Sequence, residues 1–459
     1  MNRRWAVLLG VVGVGLYVAW RSLGLSGAYI ADGPRIAAGI GAKLLCSAEY
    51  VSGMSRAQAF DDVRQYSALL EHLDVSYDPV NQSVSASLLG MGEKRARYIE
   101  GLGCALDFSG LDARTEITVR PPNAQVLGVD WPRGNRVSSL DTRLQAHATA
   151  LVRVDNEQGF NTRALLVVKD GHIVAEAYAQ GADSTTPLLG WSMAKSLTAI
   201  MLGNLELRGL IDLSAPPPFP SWRRDARSTI NMTHMLNMTD GLGFTETYEP
   251  GDDATTMLFD VPSAADYALQ ASAVHTPGQR FNYSSGTANL LARVYQDTLG
   301  SPQAAYDAFM DFIVQPMGLE HSTFELDPSG TFMGSSYVYA SARDWARMGQ
   351  LMLNDGVLND QQIVSSDWIA RATAPNASMN NKAYGYQWWL NRGDEQPTFP
   401  DLPEDAYFAS GNRAQTVMVI PSLATVIVRL GWTDGPYPLA STIRQLLAAI
   451  DKGKPGHLR

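Results

Sequence analysis

Ser192 and Lys195 stand three residues apart in Gly190-Trp191-Ser192-Met193-Ala194-Lys195-Ser196, and the residues that follow, to about 208, read as a helix. On a helix that spacing puts both side chains on one face, within reach of each other. A serine hydroxyl is a poor nucleophile until a base takes its proton, and a lysine whose pKa is lowered by burial or by neighbouring charge is such a base. The Ser-x-x-Lys spacing occurs once in the chain. It falls where a loop opens a helix, a place where backbone N–H groups face an anion or a developing oxyanion. The same tetrapeptide is compatible with an exposed helix start, with Ser192 as a cap and Lys195 as a solvated charge. A third candidate is Tyr283, in the polar loop Phe281-Asn282-Tyr283-Ser284-Ser285-Gly286 ahead of a helix over 287–297. A phenol there could share the proton of Ser192 and Lys195 and pass it to a leaving group, although a tyrosine is more often a packing residue.

Other chemistries fit poorly. Gly190-Trp191-Ser192-Met193-Ala194 lacks the last glycine of a Gly-x-Ser-x-Gly elbow, and the last histidine before the Lys- and Gly-rich tail is His321, so a Ser-His-Asp triad is disfavoured. The 7 histidines show no His-x-x-x-His spacing, and Gly251-Asp252-Asp253 reads as a solvated loop, so no metal site is expected. The 2 cysteines, Cys46 and Cys104, are too few for a closed zinc or iron–sulfur site. With 36 Lys+Arg against 46 Asp+Glu, net −10, and no basic run, a nucleic-acid partner is not expected. The 459 residues are 45% hydrophobic and 18% charged, the balance of a chain that folds around large cores.

The elements that must hold these residues follow from patterning. Arg3 and Arg4 precede 16 uncharged residues, 5–20, bracketed by Trp5 and Trp20. Such a helix is about 24 Å long and reads as a signal anchor within residues 1–25, or as a signal peptide cleaved near Ser26-Gly27-Ala28. Either reading exports the remainder to the periplasm, the anchor holding it at the inner membrane. There Cys46 and Cys104 can pair, as a staple rather than as reactive thiols. Residues 30–120 read as a small helical module around the two cysteines, with helices over 56–73 and 92–102. Pro121-Pro122, Gly128 and Trp131-Pro132 mark a boundary. A second domain, 136–459, opens with a helix over 140–154 and a hairpin over 164–178 turning at Asp170-Gly171. After a long helical middle, strands over 415–420 and 424–430 and a helix over 439–450 close the chain. Strands from both chain ends joining one sheet imply an antiparallel α/β (α+β) arrangement rather than a doubly wound one.

Several motifs in order carry a resemblance. Ser192-Met193-Ala194-Lys195, Met235-Leu236-Asn237-Met238-Thr239-Asp240-Gly241-Leu242, Pro277-Gly278-Gln279-Arg280-Phe281-Asn282-Tyr283-Ser284-Ser285, Pro316-Met317-Gly318-Leu319 and Tyr384-Gly385-Tyr386-Gln387-Trp388-Trp389 follow the order seen in class C β-lactamase-like serine hydrolases, related to penicillin-binding proteins. The look is closest to the branch of 6-aminohexanoate-dimer hydrolase and related esterases. The resemblance spans about residues 140–450 and implies an antiparallel sheet flanked by helices, with an all-helical lobe. It implies Ser192 as the acylated nucleophile, Lys195 as its base partner and Tyr283 as the second-box tyrosine. Ser285 takes the position usually held by Asn in that box. The third box, usually Lys-Thr-Gly, aligns with Ala409-Ser410-Gly411, which lacks the cation that grips a β-lactam carboxylate; Arg413, close by, is the candidate replacement. The same alignment gives the N–H groups of Ser192 and Asn412 as the oxyanion hole. In the resembled family the stretch holding Tyr384, Tyr386, Trp388 and Trp389 lies near the cleft, which makes these aromatics, Tyr386 and Trp388 foremost, candidates for its lining, although core packing is the commoner role of such rings. The expectation is a serine hydrolase acting on a small ester or amide without a cofactor. The alternatives are a penicillin-recognising DD-peptidase or β-lactamase, and a non-catalytic sensor or scaffold at the membrane.

Overall fold

The computed structural model describes residues 27–122 and 128–451. Residues 1–25, where the membrane segment was expected, lie outside the described residues. Among the described residues no helix is long and apolar enough to cross a membrane.

The part after residue 136 is built around a six-stranded antiparallel sheet. In chain order its strands are β5 (Thr162–Lys169), β6 (His172–Tyr178), β7 (Trp389–Leu390), β8 (Tyr407–Gly411), β9 (Gln415–Ile420) and β10 (Thr425–Gly431), and in space they run β7-β8-β9-β10-β5-β6. The first and last strands of the domain thus meet at the β10–β5 pairing, with Val426 opposite Val168 and Val428 opposite Leu166. The β5–β6 hairpin turns at Asp170 (φ 49°) and Gly171 (φ 79°), two consecutive left-handed residues that match the twist of the flanking strands.

Alternation sorts the sheet's side chains between two layers. Leu165 and Val167 of β5, Met418 of β9 and Ile427 of β10 face α3 (Thr142–Glu157) and α7 (Leu439–Asp451), meeting Leu144, Leu151, Ile443 and Leu446. Leu166, Val168, Val417 and Val428 face the other side, where α4 (Met193–Leu207), α5 (Ser285–Leu299) and α6 (Ala342–Leu353) pack. Helix α3 starts on Asp141, whose carboxylate accepts from the N–H groups of Arg143 and Leu144.

The region before residue 120 differs from the expectation of an all-helical module. It contains α1 (Gly27–Tyr50) and α2 (Arg56–Arg64), but also a four-stranded antiparallel sheet of β1 (Leu73–Asp78), β2 (Ser83–Leu88), β3 (Met91–Ile99) and β4 (Gly103–Leu106). The helix expected over 92–102 is therefore the strand β3. Its residues are good helix formers, but pairing on both sides, with β2 and β4, outweighs that weak propensity. The Cys46–Cys104 disulfide joins α1 to β4 with a Cα–Cα distance of 6.1 Å, as expected. The module also shares its core with the layers around the six-stranded sheet: Leu45, Val84 and Leu106 belong to the same apolar cluster as Trp191 and Leu197.

Candidate active site

Gly190, Trp191 and Ser192 form the turn that opens α4. Gly190 is pressed against Trp345, so that a Cβ there would lie 2.2 Å from the indole. Trp191 is buried with φ 49°, a left-handed conformation that strains a residue carrying a Cβ. Ser192 takes a helical φ of −62° and makes no side-chain cap hydrogen bond, which leaves its hydroxyl free for other partners. Reading Ser192 as a cap and Lys195 as a solvated charge is thereby excluded, since Lys195 is only 1% exposed.

The Lys195 ammonium donates to Ser192 Oγ at 3.1 Å, to Ser285 Oγ at 2.9 Å and to the Ser335 carbonyl at 3.2 Å. Its Nζ lies 4.6 Å from the centroid of the Tyr283 ring. Burial disfavours the charged form and brings the pKa down to about 8, with the Glu246 carboxylate working in the opposite direction. A lysine so placed is about one-tenth neutral at pH 7 and half neutral near pH 8. The half-buried Tyr283 phenol is held protonated by lost solvation first and by the Glu246 charge second, while the Ser192 hydroxyl interacts with it in the lowering direction. Ser192, Lys195 and Tyr283 are thus brought together from α4 and from the loop ahead of α5.

Glu246 escaped the sequence reading. Its carboxylate accepts from the N–H and Oγ of Ser285 and from the Tyr248 hydroxyl, so a charge sits behind Ser285, which accepts from the lysine. It comes from an irregular loop, 39 residues before Ser285, and neither periodicity nor a motif marks it. Ser285 is fully buried inside this network rather than lining an opening. Asn289 of α5 braces the other acceptor, taking the Ser335 N–H at 3.2 Å and donating to Ser335 Oγ at 3.1 Å.

The end of β8 closes against the same turn. A Cβ on Gly411 would lie 2.1 Å from the Gly190 carbonyl oxygen, so Gly411 and Asn412 abut the chain that carries Ser192. Arg413 and Ala414 follow with φ near 61° and 62°. The Arg413 guanidinium bonds Asp434 at 2.6 Å and lies 4.2 Å from the Tyr66 ring centroid, so its charge is already partnered.

The aromatic run divides differently from the expectation. Tyr386 and Trp388 are buried, Trp388 at 0% exposure, and pack edge-on to Trp368 and Tyr407 in the core. Trp389 stacks on Tyr283 at 5.5 Å with Tyr384 edge-on to both rings, so these two of the four candidate aromatics lie beside the site. Successive residues of an extended segment point to opposite sides, so only one of two adjacent tryptophans reaches the site. Gln387, with φ 60°, ties the segment to the motif around 235–242 by donating to the Met235 and Leu236 carbonyls, and it accepts from Ser196 Oγ at 2.6 Å. The separated motifs are therefore neighbours around the first turn of α4.

This arrangement couples a hydroxyl to a buried amine and a phenol beside a helix start, the parts needed for acyl transfer. A curated relative, 6-aminohexanoate-dimer hydrolase of Paenarthrobacter ureafaciens, is 25% identical over 320 residues, covering 64% of this chain and 78% of its own. A Bacillus anthracis structure provisionally named a 6-aminohexanoate-dimer hydrolase superposes with TM-score 0.56 at 22% identity, covering 74% of this chain and 89% of its own. A class C beta-lactamase does so at 0.51 and 14%, covering 69% and 97%. The beta-lactamase family model matches residues 143–452, most of the chain, and with the antiparallel sheet in place the chain belongs to the beta-lactamase family of serine hydrolases, which cleave amide and ester bonds through an acyl-enzyme.

Proposed function

We propose that Ser192 is the nucleophile, that neutral Lys195 takes its proton, and that Tyr283 carries the proton to the leaving group. The observation that carries this reading is the Lys195 ammonium, buried and hydrogen-bonded to Ser192 Oγ at 3.1 Å. Attack on a carbonyl carbon forms a tetrahedral oxyanion, which the N–H groups of Ser192 and Asn412 stabilise by on the order of 3 kcal/mol per donor. Collapse expels the alcohol or amine with a proton from the Tyr283–Lys195 pair, and water then hydrolyses the acyl-serine by the reverse relay. No cofactor takes part.

An ester or amide substrate is favoured over a β-lactam. The strand beside Ser192 ends Ala409-Ser410-Gly411 without a lysine, and Arg413 is already paired with Asp434, so neither supplies a free cation for a carboxylate. The disulfide supports an oxidising, periplasmic setting, with residues 1–25 as the anchor. The test is labelling with a fluorophosphonate probe, followed by peptide mass mapping. Wild type is expected to be modified on Ser192 and to hydrolyse p-nitrophenyl esters, with Ser192→Ala losing the label and at least about 10³-fold in kcat. Nitrocefin turnover without ester hydrolysis would reverse the order of substrates. An unlabelled Ser192 in folded protein would mean a binding domain instead.

A further inference from the structure

A cavity of about 870 Å³ lies between the N-terminal module and the catalytic layers, within the size range of small-molecule sites. Its lining includes Trp191, which precedes Ser192 in the chain, together with Tyr248 and Asn412. The module and its neighbours add Ile36, Ile40, Leu70, Leu88, Leu258 and Phe259 to the lining. The charged side chains of the lining, Glu249, Arg413 and Asp434, all belong to the catalytic loops, and the module contributes none. Leu69 and Met91 stand at the rim, 45% and 52% exposed, large apolar side chains left facing water.

The lining thus combines Asn412, the proposed oxyanion donor, and the charges of the catalytic loops with a largely aliphatic contribution from the module, whose polar lining residues are Gln65, Tyr66 and Ser67. We propose that the cavity receives an extended aliphatic chain of the substrate, so that the bond cleaved is an ester or amide of a medium- to long-chain acyl or alkyl group. This rests on the acyl-transfer reading of Ser192. Asn412 lines the cavity, so a carbonyl accepted by its N–H places the rest of the substrate beside an apolar lining that includes Ile36 and Ile40 of α1 and Leu70. The module, which supplies most of that lining, then acts as the chain-length selector of the enzyme.

The experiment measures kcat/KM for p-nitrophenyl acyl esters from acetate to dodecanoate and for acetate esters of the matching alcohols, which separates an acyl-chain from an alkyl-chain occupant. Dodecanoate binding to the same protein is followed by calorimetry. In one of the two series kcat/KM is expected to rise roughly threefold per methylene and then level off as the cavity fills. Ile40→Trp, which fills it, and Leu69→Asp, on the exposed rim where folding is not at issue, are each expected to lower the eight-carbon to two-carbon ratio of the responding series at least about tenfold, and to weaken dodecanoate binding. Ser192-dependent turnover that is flat or falls with chain length in both series overturns the proposal and leaves the acyl-transfer reading standing. Should no ester react and Ser192 stay unlabelled, the acyl-transfer reading falls, and dodecanoate decides the cavity on its own. Binding lost in Ile40→Trp upholds an aliphatic ligand, and no binding to wild type rejects it.

Discussion

A lysine with 1% of its surface exposed keeps its proton only as far as its partners replace the lost water. Lys195 has three acceptors and the Glu246 charge one hydrogen bond behind Ser285, yet burial wins and the pKa falls to about 8. With neutral Lys195 as the proposed base, kcat/KM should climb about tenfold per pH unit below pH 8 and flatten above it. Glu246 favours the ammonium, so Glu246→Gln should move that limb to lower pH; a limb that stays put or moves up contradicts the placement. Ser192 and Lys195 were legible because their spacing on one helix is itself the chemistry. Glu246 was not, since its role exists only after a loop has folded over the start of α5. Tyr386 and Trp388 were misplaced for a related reason. An aromatic run shows that rings gather, but which ring turns outward depends on the local backbone, here on Gln387 at φ 60°.

At the scale of elements, the site depends on how closely β8 approaches the turn before α4. Both partners are glycines, Gly190 under the Trp345 ring and Gly411 against the Gly190 carbonyl, and at each a Cβ would fall near 2 Å from a neighbouring atom. Backbone on one side leaves little to give way. Gly411→Ala should therefore push Asn412 away from Ser192, costing about 1–3 kcal/mol of stability and on the order of 10²-fold in kcat with KM less affected. Retained kcat in a folded Gly411→Ala variant would show that the strand end does not position the reacting groups. The hairpin at Asp170-Gly171 and the strands β9 and β10 were readable because turn chemistry and alternation agree with the fold. Strand β3 was not. Met91–Ile99 carries Glu, Lys, Arg and Ala, and only its pairing between β2 and β4 makes it extended.

For the whole molecule the question is whether the N-terminal module is an appendage or part of one cooperative body. Lys43 of α1 is 3% exposed and pairs with Glu325, which is fully buried across the boundary in the catalytic part. Glu325 also accepts from Ser47 Oγ at 2.8 Å and from the Cys104 N–H at 2.7 Å, next to the disulfide. Lys43 Nζ lies 3.8 Å from the Tyr337 ring centroid, and on the far side of the module Arg163 bonds Asp62 through both carboxylate oxygens. A buried pair contributes little net stability compared with an apolar pair of the same shape, but removing one partner strands a charge away from water. Glu325→Ala strands the Lys43 ammonium and leaves the Cys104 N–H without its acceptor, so a loss of about 3–5 kcal/mol is expected. Lys43→Met combined with Glu325→Gln keeps an acceptor for Cys104 and removes both charges, and should recover most of that loss. The measurement is denaturant unfolding followed by tryptophan fluorescence and by far-UV circular dichroism. In a single body the two probes coincide in wild type and shift together in Glu325→Ala. Separate transitions, or a Glu325→Ala protein as stable as wild type, would mean that the module folds on its own and only leans on the enzyme.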